Sequence, residues 1–128
     1  MRIIAMAACM LLTCAGTGCS RPVQESFRLE AIEVAVLWVD GDGAEIDIYN
    51  AGPARIGVQL RTTSDGAATT IGSTIGANGT WSRTLESEAV MLIRNGDDGT
   101  AAANVDLAVH GGRRVEFTPP SIDTSRRP

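Results

Sequence analysis

The sequence predicts an all-β fold: a small antiparallel β-sandwich of immunoglobulin-like or jelly-roll type, or a small barrel, built from about eight strands. Three observations point there. Apolar residues recur at alternate positions along most of the chain, turn-forming residues punctuate it at short and even intervals, and no stretch makes a convincing amphipathic helix.

The first element is ambiguous. Phe27, Ala31, Val34 and Trp38 fall at helical spacing, but the β-branched Ile32, Val34, Val36 and Val39 favour one long strand from Phe27 to Val39, bulged near Glu30 to Ile32. Ala44-Ile46-Ile48 then alternates with Glu45-Asp47-Tyr49, and Ile56-Val58-Leu60 with Arg55-Gly57-Gln59-Arg61. Ile71-Ser73-Ile75 and Trp81-Arg83-Leu85 are weaker strands. Val90 to Ile93 is continuously apolar, as in a central strand covered on both sides. Val105-Leu107-Val109 alternates with Asn104-Asp106-Ala108-His110, and Val115-Phe117 ends the series. Turns are expected at Asp40-Gly41-Asp42-Gly43, Asn50-Ala51-Gly52-Pro53, Ser64-Asp65-Gly66, Ala77-Asn78-Gly79, Glu86-Ser87-Glu88, Gly96-Asp97-Asp98-Gly99 and Gly111-Gly112. The Cys and Trp spacing of true immunoglobulin domains is absent.

If successive strands alternate in direction, these turns sort into two ends. Asn50, Asn78 and Asp97-Asp98 would share the end where the chain enters. Asp40, Asp42, Asp65, Glu86 and Glu88 would gather at the far end beside His110, Arg113 and Arg114, a candidate partner surface. The expected limits of the folded part are residues 27–118, with Pro119-Pro120 ending regular structure and residues 119–128 forming a disordered tail.

The chain's start carries a different signal. Arg2 is followed by the apolar run Ile3 to Leu12, too short to span a bilayer, and then by small and polar residues up to Cys19. Ala15-Gly16-Thr17-Gly18-Cys19 resembles the lipobox of bacterial lipoproteins. That resemblance implies removal of residues 1–18 as a signal peptide, acylation of Cys19 and a tether over residues 19–26. It also implies a cell-envelope address, with the lipid bilayer as the first partner. Ser20 after the cysteine resembles the outer-membrane sorting choice. Cys14 is a rival acceptor, and an ordinary secretory leader releasing a soluble domain is the alternative reading. Firm anchoring needs two or more acyl chains.

Composition narrows the remaining functions. The net charge is −4, all eleven basic residues are arginines, and no basic stripe is present, which disfavours nucleic acid as a partner. All three cysteines lie within the first nineteen residues, so the domain must hold together by packing, without internal disulfides or Cys-type zinc. Asp40-Gly-Asp42-Gly with Glu45 and Asp47 resembles a calcium loop in charge but not in spacing, and a hairpin turn suffices. His110 is the only histidine and has no evident nucleophile to serve, so no catalytic residues and no cofactor are expected. The expected role is a non-catalytic binding or structural domain with an envelope protein or glycan as partner. The second reading is a carbohydrate-binding module in which Trp81 and Tyr49 form an aromatic platform.

Overall fold

The computed structural model describes residues 23–40, 43–64, 67–96 and 101–122. These form nine strands and no helix: β1 (Val23–Leu29), β2 (Glu33–Asp40), β3 (Glu45–Pro53), β4 (Ile56–Ser64), β5 (Ala67–Ile75), β6 (Gly79–Thr84), β7 (Ala89–Asn95), β8 (Ala103–His110) and β9 (Arg114–Ile122). They build two antiparallel sheets, one ordered β1-β8-β3-β6 and the other β5-β4-β7-β2-β9. The expected sandwich is formed.

Alternation sets the layers. In β3 and β8 the large buried apolar residues are Ile46, Ile48, Val105, Leu107 and Val109; in β2, β4 and β7 they are Leu37, Val39, Ile56, Val58, Leu60, Met91 and Ile93. Both sets point into one core between the sheets. Phe27 and Phe117, on the edge strands β1 and β9, stack with ring centroids 5.2 Å apart and close one side of the sandwich.

Three expectations are corrected. The long strand from Phe27 to Val39 is two strands in different sheets, which raises the strand number from eight to nine. Its interruption is local: Glu33 N–H donates to the Glu30 carbonyl at 3.0 Å, and Glu30 N–H donates to the Glu33 carboxylate at 2.9 Å. That turn leaves Ile32 exposed and carries the chain across the sandwich.

Second, β1 begins at Val23 and β9 runs through Pro119-Pro120 to Ile122, so the sheets extend beyond residues 27–118. Proline is tolerated because β9 is an edge strand with no neighbour on its outer side, and a register shift opposite Val34 to Val36 absorbs the irregularity. Residues 123–128 of the expected tail lie outside the described residues.

Third, β7 lies inside its sheet, but only alternate residues, Ala89, Met91, Ile93 and Asn95, are buried. Val90 and Leu92 are half-buried on the outer face, so apolar residues on both faces concealed the alternation.

Every strand follows its predecessor in the opposite direction, so the turns do sort into two ends. Because β1 and β2 are separate, however, the end where the chain enters is reversed. Val23 pairs with Val109, beside His110, and so starts at the end that also holds Asp40 and the β6–β7 turn.

Candidate functional site

A shallow depression of about 540 Å³ crosses the outer face of the four-stranded sheet, lined by residues of β1, β8, β3 and β6. Cross-strand register builds it. Gln24, Ala108, Asp47 and Ser82 form one row; Ser26, Asp106, Tyr49 and Thr80 form the next. Ala108 is the short side chain among longer neighbours, so the sheet dips there. Period two places these residues on the solvent side, opposite the buried Ile46, Ile48, Leu107 and Val109.

The polar groups are held in place by one another. Ser26 Oγ donates to Asp106 Oδ1 at 2.7 Å, and Ser82 Oγ donates to Asp47 Oδ1 at 2.6 Å. Tyr49 is exposed, and its hydroxyl reaches Asn78 Oδ1 at 3.2 Å. Among the described residues no arginine lines the depression, whereas Asp47 and Asp106 do. It therefore offers carboxylate acceptors, hydroxyl groups, the Gln24 amide and one aromatic face. That set suits hydrogen bonding and ring stacking with a neutral, hydroxyl-rich ligand, and it repels anions.

Of the residues expected at a partner surface, the described ones are brought to one end but divide between the two sheets. On the five-stranded sheet's side, Glu88 and Arg114 contact Trp38, and Arg113 pairs with Asp40. Arg113 lies 3.6 Å from the Asp40 carboxylate, Trp38 Nε1 donates to Glu88 at 2.7 Å, and the Arg114 guanidinium sits 5.8 Å from the Trp38 ring centroid. Arg114 also pairs with Glu116 at 3.0 Å. Glu86 lies in the same turn as Glu88. His110 belongs to the other sheet, paired with Glu45 across the ladder and 3.7 Å from Asp47 Oδ2, with both side chains well exposed. Asp42, Asp65 and Cys19 lie outside the described residues. Among the described residues no three His, Cys, Asp or Glu side chains converge on a metal position.

The two-ring platform is not formed. Trp81 pairs with Ile48 and packs half-buried against the core, whereas Tyr49 points out of the opposite face of the same sheet. Adjacent strands place residues 48 and 81, or 49 and 80, on a common face, so one position of register separates the rings.

Sequence reading found Tyr49 but missed Gln24, Ser26, Asp47, Thr80, Ser82, Asp106 and Ala108 as a group. The solvent-side placement of Asp47, Thr80, Ser82, Asp106 and Ala108 was legible in the alternation, whereas Gln24 and Ser26 fall in the expected tether. The adjacency of the whole group was not legible, because β1, β8, β3 and β6 are neighbours only through the sheet order.

No family model matches the chain, and no curated protein matches it in sequence. Solved structures do resemble it. A crystal structure of PirA is 14% identical with a TM-score of 0.50, covering 74% of this chain and all of that one (100%). The Yersinia pseudotuberculosis-derived mitogen YPM is also 14% identical with a TM-score of 0.50, covering 79% of this chain and 98% of that one. Aeromonas hydrophila PliG, a periplasmic lysozyme inhibitor of g-type lysozyme, is 14% identical with a TM-score of 0.48, covering 79% and 90%. At these identities the likeness is one of fold.

Proposed function

We propose that this chain is an outer-membrane-directed lipoprotein whose β-sandwich binds rather than catalyses, and that the depression on its four-stranded sheet takes a glycan. The observation that carries the binding reading is the convergence of Tyr49, Asp47, Asp106, Gln24 and the flanking hydroxyl groups around the low point at Ala108. Carbohydrate ligands need a ring face to stack on and fixed acceptors for their hydroxyl groups. Tyr49 supplies the first, and the two serine-bonded aspartates supply the second. The non-catalytic reading is supported by His110, whose side chain stands well exposed rather than enclosed in a pocket.

The test is glycan binding by the purified chain. Tyr49→Ala and Asp106→Ala are each expected to weaken binding at least about tenfold, the scale of one good stacking or hydrogen-bonding group. Trp81→Phe should leave binding unchanged. Glycan binding unaffected by Tyr49→Ala and Asp106→Ala, or no glycan binding at all, overturns the ligand assignment. The anchor is tested separately. Cys19→Ala should move the protein from the membrane fraction to the soluble one, and the mass of the wild-type terminus should include acyl chains. An unmodified terminus rejects the tether.

A further inference from the structure

The five-stranded sheet ends at β5, and that edge differs from the other three. β9 carries Pro119 and Pro120 with a register break, β1 carries Glu25 and Arg28, and β6 has only six residues, one of them Arg83. Proline, charge and shortness each discourage a foreign strand from pairing. β5 has none of these: it is nine residues long, and from Ala67 to Ser82 the chain contains neither a charged residue nor a proline.

The direction of its peptide groups can be fixed. Gly96 N–H donates to the Arg55 carbonyl at 2.9 Å, which makes 55/96 a hydrogen-bonded position of the β4–β7 ladder. Peptide groups alternate along a strand, so Ile56, Val58, Leu60 and Thr62 face the other way, towards β5. There they meet Ile75, Ser73, Ile71 and Thr69 in unbroken register. Ala68, Thr70, Gly72 and Thr74 therefore direct their N–H and C=O groups off the edge of the sheet.

We propose that this edge is a homodimer interface: β5 of two copies pairs antiparallel about a two-fold axis at Ile71, joining two five-stranded sheets into one of ten. Such an interface must complement itself. With the axis at Ile71, Thr70 stands opposite the partner subunit's Gly72, and Ala68 opposite the partner subunit's Thr74. Roughly eight main-chain hydrogen bonds form along the nine-residue overlap. The outward side chains along it are small and neutral. Charge also selects this edge over other surfaces. The chain carries a net charge of −4, and the groove face holds acids that would repel their copies, whereas β5 holds none. Each copy has one such edge, so pairing closes at two. The inference goes beyond the glycan reading and does not depend on it.

The test uses the full chain carrying Cys19→Ala, so that no lipid contributes to association, followed by sedimentation over a range of concentrations. A dimer is expected. Gly72→Lys, whose new Cβ would meet nothing within 4 Å inside one copy, places like charges beside the axis and should weaken the dimer at least about 100-fold. Thr70→Pro removes an outward N–H and should act in the same direction. Gly57→Lys, on the same face but on the interior strand β4, has equal space and should leave the dimer intact. In the unaltered sequence, amide exchange at Thr70 and Gly72 should accelerate on dilution. A monomer at every concentration, a dimer indifferent to both β5 variants, open-ended growth, or exchange that ignores concentration would each overturn the proposal.

Discussion

Val23 stands directly across the ladder from Val109, one residue before His110, so the chain enters the sandwich at the end that carries Asp40, Glu88 and Arg113. Three residues separate Cys19 from Val23, and four extended steps reach at most about 14 Å. With an acylated Cys19, that end should face the bilayer and the Asn78 turn should face away. A fluorophore at Glu86 is therefore expected to be quenched several-fold more by headgroup-labelled lipid than one at Asn78, measured with the lipidated chain in vesicles. Stronger quenching at Asn78 would reverse the orientation.

That relationship also marks the limit of what the sequence discloses. Period-two alternation and turn chemistry were enough for the sandwich, for the inward set from Ile46 to Val109 and for the sorting of turns into two ends. The division at Glu30 was hidden because Val34 and Val36 are apolar yet face outward, so β-branched residues continue through a place where the backbone turns. The same masking by Val90 and Leu92 made β7 read as covered on both sides. The groove was hidden for another reason. Asp47 and Ala108 are far apart along the chain and become neighbours only because β3 pairs β8, and the pairing of Trp81 with Ile48 could not be read from composition.

Asn50 is fully buried and ties three segments together. Its Nδ2 donates to the Ala54 carbonyl at 2.9 Å and to the Ile75 carbonyl at 3.0 Å, while its Oδ1 accepts the Gly52 N–H at 2.8 Å. Asn50→Leu removes all three bonds and leaves the Ala54 carbonyl and the Gly52 N–H short of this partner, and each buried group so deprived costs about 1–3 kcal/mol, so urea denaturation should show a loss of about 2 kcal/mol or more. Asn50→Asp should behave differently with pH. A protonated carboxyl can still donate once, but the ionised form cannot, and burial favours the neutral form. Its folded-state pKa is then above its unfolded value. The variant should be closest to wild-type stability in acid and lose ground as pH rises from about 4 to 7. A deficit that shrinks over that interval would contradict the donor role.

Trp38 separates packing from polar contact. Its indole lies half-buried on the outer face of the five-stranded sheet across from Val90, and its N–H reaches an exposed Glu88. Hydrogen bonds in solvent-exposed settings contribute little, so Glu88→Ala should change unfolding free energy by less than about 1 kcal/mol. Trp38→Ala removes a large apolar surface and should cost about 2–3 kcal/mol. Equal losses in the two variants would mean that the carboxylate, rather than the ring's contact with the sheet, holds this face.

Gly52 combines two independent constraints that a double-mutant cycle can divide. Its φ of +80° lies in the left-handed region, and a Cβ placed there would sit 2.7 Å from the Ala77 Cβ. Gly52→Ala therefore incurs backbone strain of about 1–2 kcal/mol together with overpacking of about 1–3 kcal/mol. Ala77→Gly removes the atom that collides and leaves the strain untouched. In the double variant, the Gly52→Ala cost should fall by at least about 1 kcal/mol relative to its cost alone, without reaching zero. Thermal or urea unfolding of the four chains measures both parts. No recovery in the double variant would assign the whole cost to the backbone, and complete recovery would assign it to the contact with Ala77.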